Sequence, residues 1–267
     1  MPAKNPYHRS MFPLSTTVAV RFPPLVTWGL IALNVLAYML ESSFMASGGE
    51  AALRAFLNEW GLVPARYFVP GWGEAHGLSN GGWLPFITNT FLHGGFLHLA
   101  FNMWTLYIFG PAVEDRLGHV GYLVFYLACG AGASLAHAWM NPLSTIPAIG
   151  ASGAIAGVTG AYMRLFPHSR VVVLVPVLFY PLFFEVYAFL FAGLWFIGQI
   201  VNAMASLGAG QAAGGVAWWA HVGGFVIGWL AAGAWGGEGR RYRPPERDEG
   251  KYGCCPDGRR DNQLRPW

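Results

Sequence analysis

The sequence predicts an all-α polytopic membrane protein with six transmembrane helices. Hydrophobic residues make up 54% of the chain and charged residues only 11%, a charged fraction well below that of soluble domains. The 12 tryptophans fit a protein that anchors aromatic side chains at two lipid–water boundaries. Six apolar runs have about the length that crosses a bilayer. They cover residues 24–44, 84–110, 119–139, 150–166, 180–205 and 216–235.

These spans define one membrane domain at residues 24–235, flanked by an N-terminal segment at 1–23 and a tail at 236–267. Proline, glycine and charged residues dominate the tail, so we expect it to be disordered. The tail contains the adjacent cysteines Cys254 and Cys255, which are not expected to form a disulfide in a reducing compartment. A partner-binding or metal role for this stretch of the tail stays open.

Two of the spans depart from a simple apolar run. The fourth span is short, as is expected of a helix that begins from a loop recessed in the protein. Before the fifth span, Pro176 and Pro181 interrupt the apolar sequence. We interpret residues 171–179 as an extended connector that lies at the membrane interface. The fifth helix is expected to start near Pro181, because proline suits the first turn of a helix.

The distribution of basic residues predicts the orientation of the chain. Of the 16 lysines and arginines, all but Arg54 and Arg66 fall in segments on one side of the six-span topology. Those two exceptions lie in the loop at 45–83. Cytoplasmic segments carry the excess of basic residues, so both termini are expected in the cytoplasm and the protein in the cell membrane.

Polar residues recur in the first two-thirds of span two and in the first turns of spans four and six. Span two contains His93, His98 and Asn102, span four begins at Ser152 and span six contains His221. With a cytoplasmic N-terminus, all three spans enter from the outer face, which places these residues about 10 Å below the outer surface at ~1.5 Å per residue. Polar side chains within membrane helices are costly and by default mark a functional site.

Small residues at four-residue spacing predict that spans four and six approach each other closely. Span four contains Gly153 and Gly157, and span six contains Ala220, Gly224 and Gly228. Such stripes let two helix backbones come together in a membrane. Ser152 and His221 each lie beside the first member of a stripe, so close packing would bring the serine hydroxyl and the imidazole within hydrogen-bonding distance. A base-activated nucleophile requires that geometry.

Four motifs in order along the chain resemble those of the rhomboid intramembrane serine proteases. The second span has His98-x-x-x-Asn102, with His93 five residues earlier, and G-x-x-x-E-x-R-x-G follows at 110–118. The fourth span begins with G-A-S-G at 150–153, and the sixth has A-H-x-x-G-x-x-x-G at 220–228. The resemblance covers spans two to six and implies a six-helix rhomboid-like bundle.

The resemblance also implies the roles of the site residues. Ser152 would attack the scissile carbonyl, and His221 would act as its general base in a Ser–His dyad. The Asn102 side-chain amide, the His98 ring and the Ser152 backbone N–H would hold the oxyanion. Supporting positions would be His93, which we expect to hydrogen-bond the loop above it, together with Gly150, Gly153 and Gly224. Substrates would be membrane-anchored proteins cut near the outer face, within the lipid bilayer, with no cofactor, no metal and no nucleic acid.

Other classes of protein remain as alternatives. One is a catalytically inactive rhomboid-like protein that binds transmembrane clients, since Ala156 stands where the family often has an aromatic residue beneath the catalytic imidazole. Another is a small transporter with a polar site at the midplane, although the chain has no detectable inverted repeat. A metal pair formed by His93 and His98 is disfavoured, because a spacing of five residues separates them by about 140° on a helix.

Overall fold

The structure, a computed structural model, describes residues 16–78, 82–177, 180–209 and 216–235. The tail at 236–267, with Cys254 and Cys255, lies outside the described residues. A 3₁₀ turn at Asn89–Phe91 precedes α5, and strands β1 (Arg170–Val177) and β2 (Tyr180–Tyr187) form an antiparallel hairpin. The helices are α1 (Leu25–Trp60), α2 (Ala65–Phe68), α3 (Trp72–Ala75), α4 (Pro85–Thr88), α5 (Phe96–Leu117), α6 (His119–Met140), α7 (Ser152–Leu165), α8 (Ala188–Ala209) and α9 (Trp218–Trp235).

The prediction of a mostly helical membrane protein is confirmed. Four helices in the described part of the chain, α1, α5, α6 and α8, are long and apolar enough to cross a bilayer. Helix α7 has 14 residues. At ~1.5 Å per residue it is shorter than the ~30 Å hydrocarbon core. The third, fourth and sixth predicted spans match α6, α7 and α9 to within about two residues at either end.

The second span differs from the helix predicted over 84–110. The helix α5 begins at Phe96 and continues to Leu117, whereas the preceding residues form α4, the 3₁₀ turn and a loop. Leu92 has an extended backbone, with φ −89° and ψ 150°, and the N–H of His93 donates to the Glu41 carboxylate. His93 therefore lies in the loop before the helix, and its placement within span two was wrong.

The fifth span also begins later than predicted. Residues 180–187 form β2, and α8 starts at Ala188 instead of near Pro181. The register pairs Val172 with Glu185 and Pro176 with Pro181. The run of valines at 171–173 favours a strand because β-branched side chains pack well on a pleated surface. Periodicity cannot separate a buried strand from a helix in a short apolar run, which explains the error. The extended conformation predicted for the connector is correct for its described residues.

The first helix continues well beyond the predicted end at residue 44. Helix α1 extends to Trp60, with a break at Gly49, whose φ of 65° is a conformation that glycine adopts without steric cost. After the helix, Leu62 pairs with Ala148 through backbone hydrogen bonds of 3.0 and 2.8 Å. The loop at 45–83 is thereby attached to the segment that leads into α7.

Helices α7 and α9 form the most extensive helix–helix contact of the fold. A Cβ added at Gly224 would overlap the carbonyl oxygen of Gly153, and one added at Gly228 would overlap that of Gly157. The two backbones thus touch at successive turns, as the stripes of small residues predicted. Helix α6 packs beside this contact, since a Cβ added at Gly153 would lie 2.7 Å from that of Ala133.

A buried carboxylate attaches α1 to α5. Glu114, near the end of α5, accepts hydrogen bonds from the backbone N–H groups of Val26 and Thr27 at 2.9 and 2.7 Å, and from the Thr27 hydroxyl at 2.6 Å. The first N–H groups of a helix have no partner within it, and the helix dipole favours a negative charge there. One side chain therefore caps the start of the first helix and fixes its position against the second long helix.

Replacing Gly224 by alanine tests the contact between α7 and α9. We expect Gly224→Ala to lower the melting temperature in detergent, because the new methyl group has no space next to the Gly153 carbonyl. Overpacking of this kind costs about 1–3 kcal/mol. Thermal unfolding of the purified protein measures the effect.

Gly193→Ala on α8 is the matched control. No heavy atom among the described residues lies within 4 Å of a Cβ added at Gly193, and alanine favours a helix over glycine. Its melting temperature should equal or exceed that of the wild type. Equal melting of the two variants would contradict a role for the glycine stripe in packing.

Candidate active site

The candidate site lies where the loop before α7 meets the first residue of that helix. Ser152 is the first residue of the helix. Two residues earlier, Gly150 has a φ of +130°, a backbone conformation that residues other than glycine rarely adopt. The N–H of Gly150 donates to the Asn89 carbonyl at 2.9 Å. The N–H groups of the first helical turn have no partner within the helix and point towards a site for negative charge.

The packing of α7 against α9 brings Ser152 and His221 together. The Ser152 Oγ lies 2.8 Å from the His221 Nε2, across 69 positions of sequence. The imidazole is buried, and Ser152 is partly exposed to a cavity. A serine hydroxyl at this distance from an imidazole nitrogen has the arrangement in which the ring removes the hydroxyl proton.

His98 and Asn102 face the same cavity from α5. The cavity has a volume of about 590 Å³, and its lining includes Ser152, His221 and both of these residues. The Asn102 side chain is buried, and its Nδ2 has no hydrogen-bond partner among the described residues. Buried donors are nearly always paired, so an unpaired one that faces a cavity is suited to bind an acceptor on a ligand.

Gly150 leaves room for the His98 ring beside Ser152. A Cβ added at this glycine would lie 2.8 Å from Cε1 and 2.9 Å from Nε2 of His98, and 3.5 Å from the Ser152 Oγ. The His98 ring and the serine hydroxyl thus both lie within 3.5 Å of the position that a side chain at residue 150 would occupy. Of the three glycines predicted to support the site, Gly150 lies beside His98 and Ser152, whereas Gly153 and Gly224 lie in the contact between α7 and α9.

Glu41, which sequence reasoning missed, positions the His93 loop. It is only 2% exposed, and its two carboxylate oxygens accept the backbone N–H of His93 at 3.0 and 3.2 Å. The ring centroids of His93 and His98 are 5.1 Å apart, so the loop packs directly against a residue of the cavity. The sequence did contain a signal for Glu41, because it is an acidic residue near the end of the first apolar run. An ionisable side chain in a membrane span is expected to have a polar partner.

Gln199 was also missed. Its Oε1 lies 2.7 Å from the Nδ1 of His221, the ring nitrogen that faces away from Ser152. The same rule for intramembrane polar residues would have selected it, since it stands within the apolar run of α8. The structure also supplies aromatic neighbours for the imidazole, because the rings of Trp195 and Trp218 each lie 6.0 Å from it. Ala156 packs in the same cluster as Trp195, on the neighbouring helix.

The arrangement supports nucleophilic chemistry better than metal binding. It combines a hydroxyl, a ring nitrogen in contact with that hydroxyl and an unpaired amide donor in one apolar cavity. Within the described ranges, no three histidine, cysteine or acidic side chains lie close enough together to hold a metal ion. The electrostatic stabilisation of a developing oxyanion is strong in a cavity with mostly apolar walls, because the local dielectric constant is low there.

Comparison with known proteins identifies the family that this sequence resembles. A family model described as the rhomboid domain matches residues 80–236. The chain is 30% identical to the rhomboid protease GluP of Bacillus subtilis over 213 residues, which is 80% of this chain and 35% of that protein. It is 41% identical over 75 residues to the chloroplastic rhomboid-like protein 11 of Arabidopsis thaliana, covering 28% of this chain and 26% of that protein.

A third relative is the mitochondrial rhomboid protein 1 of Saccharomyces cerevisiae. It is 33% identical over 96 residues, covering 34% of this chain and 28% of that protein. The matched part of the chain spans less than half of the length of these curated relatives.

Replacing Glu41 tests whether it positions the loop. Glu41→Leu should lower the stability by about 1–3 kcal/mol, because the buried N–H of His93 is left without an acceptor. Glu41→Gln keeps one oxygen and should lose less. Thermal unfolding in detergent measures both, with Ser42→Ala as the control, since the exposed Ser42 hydroxyl bonds only within α1. A Glu41→Leu protein that melts like the control would contradict this role.

Proposed function

The chain belongs to the rhomboid family, and from this premise we propose that it is an intramembrane serine endopeptidase that cleaves membrane-anchored proteins near the outer face of the bilayer. The observation that carries the proposal is the 2.8 Å contact between the Ser152 Oγ and the His221 Nε2. A packing role alone does not require a hydroxyl and an imidazole at this depth. The unpaired Asn102 Nδ2 beside them gives further support.

The reaction begins at the serine hydroxyl. His221 accepts the Ser152 proton as the Oγ attacks the scissile carbonyl, and a tetrahedral intermediate forms. His221 then gives this proton to the leaving amine, and the carbonyl carbon remains attached to the serine as an ester. A water molecule, deprotonated by the same imidazole, attacks the ester and releases the new carboxyl end. The proton returns to Ser152, so the enzyme is regenerated.

The oxyanion of the intermediate lies between α5 and the start of α7. The Asn102 amide, the His98 ring and the Ser152 N–H donate to it in this proposal. Each donor is worth roughly 3–4 kcal/mol when it is fixed before the charge develops. His98 and Asn102 are one helical turn apart, so α5 presents both from one face.

The membrane arrangement is part of the same proposal. We propose that α1, α5, α6, α7, α8 and α9 are six spans, with both termini in the cytoplasm of a cell-membrane protein. Helix α7 is short because it starts inside the protein, where neighbouring helices and not lipid surround its first turn. The substrates are transmembrane proteins, and the reaction uses no cofactor.

Labelling with a fluorophosphonate tests the nucleophile and its base together. We expect the wild type in detergent to be labelled at Ser152, and both Ser152→Ala and His221→Ala to lose the label, because an unassisted hydroxyl is a poor nucleophile. Gel fluorescence and mass spectrometry of the labelled peptide measure the result.

The controls are Ser43→Ala and His76→Ala, at exposed positions far from the cavity in sequence. Both should label and cleave like the wild type. Cleavage of a transmembrane substrate by Ser152→Ala above about a tenth of the wild-type rate would contradict the proposal. A folded wild type that is neither labelled nor active would favour the client-binding alternative, to which Ala156 points.

Replacing Asn102 tests the oxyanion site. Asn102→Ala should lower kcat by about 10²-fold and leave KM nearly unchanged, because the lost hydrogen bond belongs to the transition state. Steady-state cleavage kinetics measure the two constants, with Tyr107→Phe, an exposed position on the same helix, as the control. An increase in KM with kcat intact would assign Asn102 to substrate binding instead.

A further inference from the structure

We propose that Gln199 is a positioning residue that holds His221 in the tautomer able to accept the Ser152 proton. The inference rests on the proposed function, because it assigns His221 the role of general base. It adds a third, uncharged member to the Ser–His pair and places that member on α8. The sequence motifs of the family resemblance do not include this residue.

The contact between Gln199 and His221 is short and enclosed. The Gln199 Oε1 lies 2.7 Å from the His221 Nδ1, and both side chains are buried. The two residues are on different helices, α8 and α9, so the bond forms only when those helices pack. A buried polar pair of this kind is costly unless each partner is satisfied, and here each satisfies the other.

The orientation of the Gln199 amide follows from its second contact. The Nε2 donates to the Trp195 carbonyl at 3.3 Å, one turn earlier on the same helix. If the amide were rotated by 180°, its oxygen would face the Trp195 carbonyl oxygen, and two acceptors would be in contact. The arrangement with Nε2 towards Trp195 therefore has the better hydrogen bonds, and it directs Oε1 towards the imidazole.

This orientation determines which ring nitrogen carries the proton. An amide oxygen only accepts hydrogen bonds, so the Nδ1 of His221 must donate and therefore carries the hydrogen. In the neutral ring the Nε2 then has a free lone pair, and this is the nitrogen 2.8 Å from the Ser152 Oγ. The hydroxyl donates to that lone pair, which is the starting arrangement for general-base catalysis.

An amide suits this position better than a carboxylate in an apolar medium. A buried carboxylate would require its own compensating partners when the imidazole is neutral. The amide oxygen accepts the Nδ1 hydrogen without adding a charge. When the imidazolium forms, the same bond becomes charge-assisted and stabilises it. Trp195 contributes twice, through its carbonyl to Gln199 and through its ring near the imidazole.

Two substitutions at Gln199 test the inference through cleavage kinetics. Gln199→Leu removes the acceptor and keeps a similar volume, so kcat should fall by roughly 10²-fold with KM within about twofold of the wild type. Gln199→Glu keeps an oxygen at the same distance and should retain most of the activity at pH 8. Asn202→Leu is the control, because Asn202 is an exposed amide one turn away that bonds within α8. Its kinetics should match the wild type.

The pH profile separates positioning from a merely structural role. A carboxylate beside the imidazole favours the imidazolium and raises the pKa of the base. In Gln199→Glu the acidic limb of kcat/KM should therefore move to higher pH by about one unit or more. A side chain at residue 199 that packs between the helices without contacting the imidazole would leave the position of this limb unchanged. Thermal unfolding of each variant is measured alongside the kinetics. If Gln199→Leu does not fold, the pH profile of Gln199→Glu tests the positioning role on its own.

The outcomes distinguish this inference from the function on which it rests. If the wild type cleaves and is labelled at Ser152, while Gln199→Leu is folded and has wild-type kcat, the positioning role is overturned and the protease assignment stands. An unchanged acidic limb in an active Gln199→Glu also overturns it. If the wild type is neither labelled nor active, the proposed function itself fails.

Discussion

The rest of the structure depends on the direct backbone contact between α7 and α9. At Gly153 with Gly224, and again at Gly157 with Gly228, no side chain separates the two helices. Apolar side chains gain little by leaving lipid for another helix, so close van der Waals packing must supply the association. Ser152 and His221 lie at the end of this contact. Their 2.8 Å separation is therefore a consequence of how closely two backbones approach.

Around this contact, buried polar groups attach the remaining elements. Glu114 caps the start of α1 from α5, and Glu41 of α1 in turn accepts the N–H of the His93 loop. These bonds run in a chain from the end of α5, through α1, and back to the residues just before α5. Each is made in an interior where an unsatisfied polar group is expensive, so each fixes one arrangement of the helices. His98 and Asn102 on α5 are thus held in place by groups that do not line the cavity.

The site itself is polar but carries little fixed charge. Gln199, His221 and Ser152 form one line of hydrogen bonds from α8 to α7, and the Asn102 amide faces the same cavity without a partner in the described residues. Because these hydrogen-bonded side chains are neutral, the site avoids the cost of burying ions in an apolar medium. The unpaired amide is the group that stands to gain most when negative charge develops nearby.

The membrane class, the positions of α6, α7 and α9, and the polar residues Ser152, His221, His98 and Asn102 could be predicted from the sequence alone. Composition, the length of apolar runs and the spacing of small residues are local properties, so they can be interpreted without knowledge of the fold. The break before α5, the hairpin ahead of α8, and the roles of Glu41 and Gln199 as hydrogen-bond partners became apparent only from the folded structure. Those features depend on contacts across the chain: Glu41 takes the N–H of a residue 52 positions later, and Gln199 meets a histidine on another helix. A sequence pattern records that such residues are polar, but not which group satisfies them.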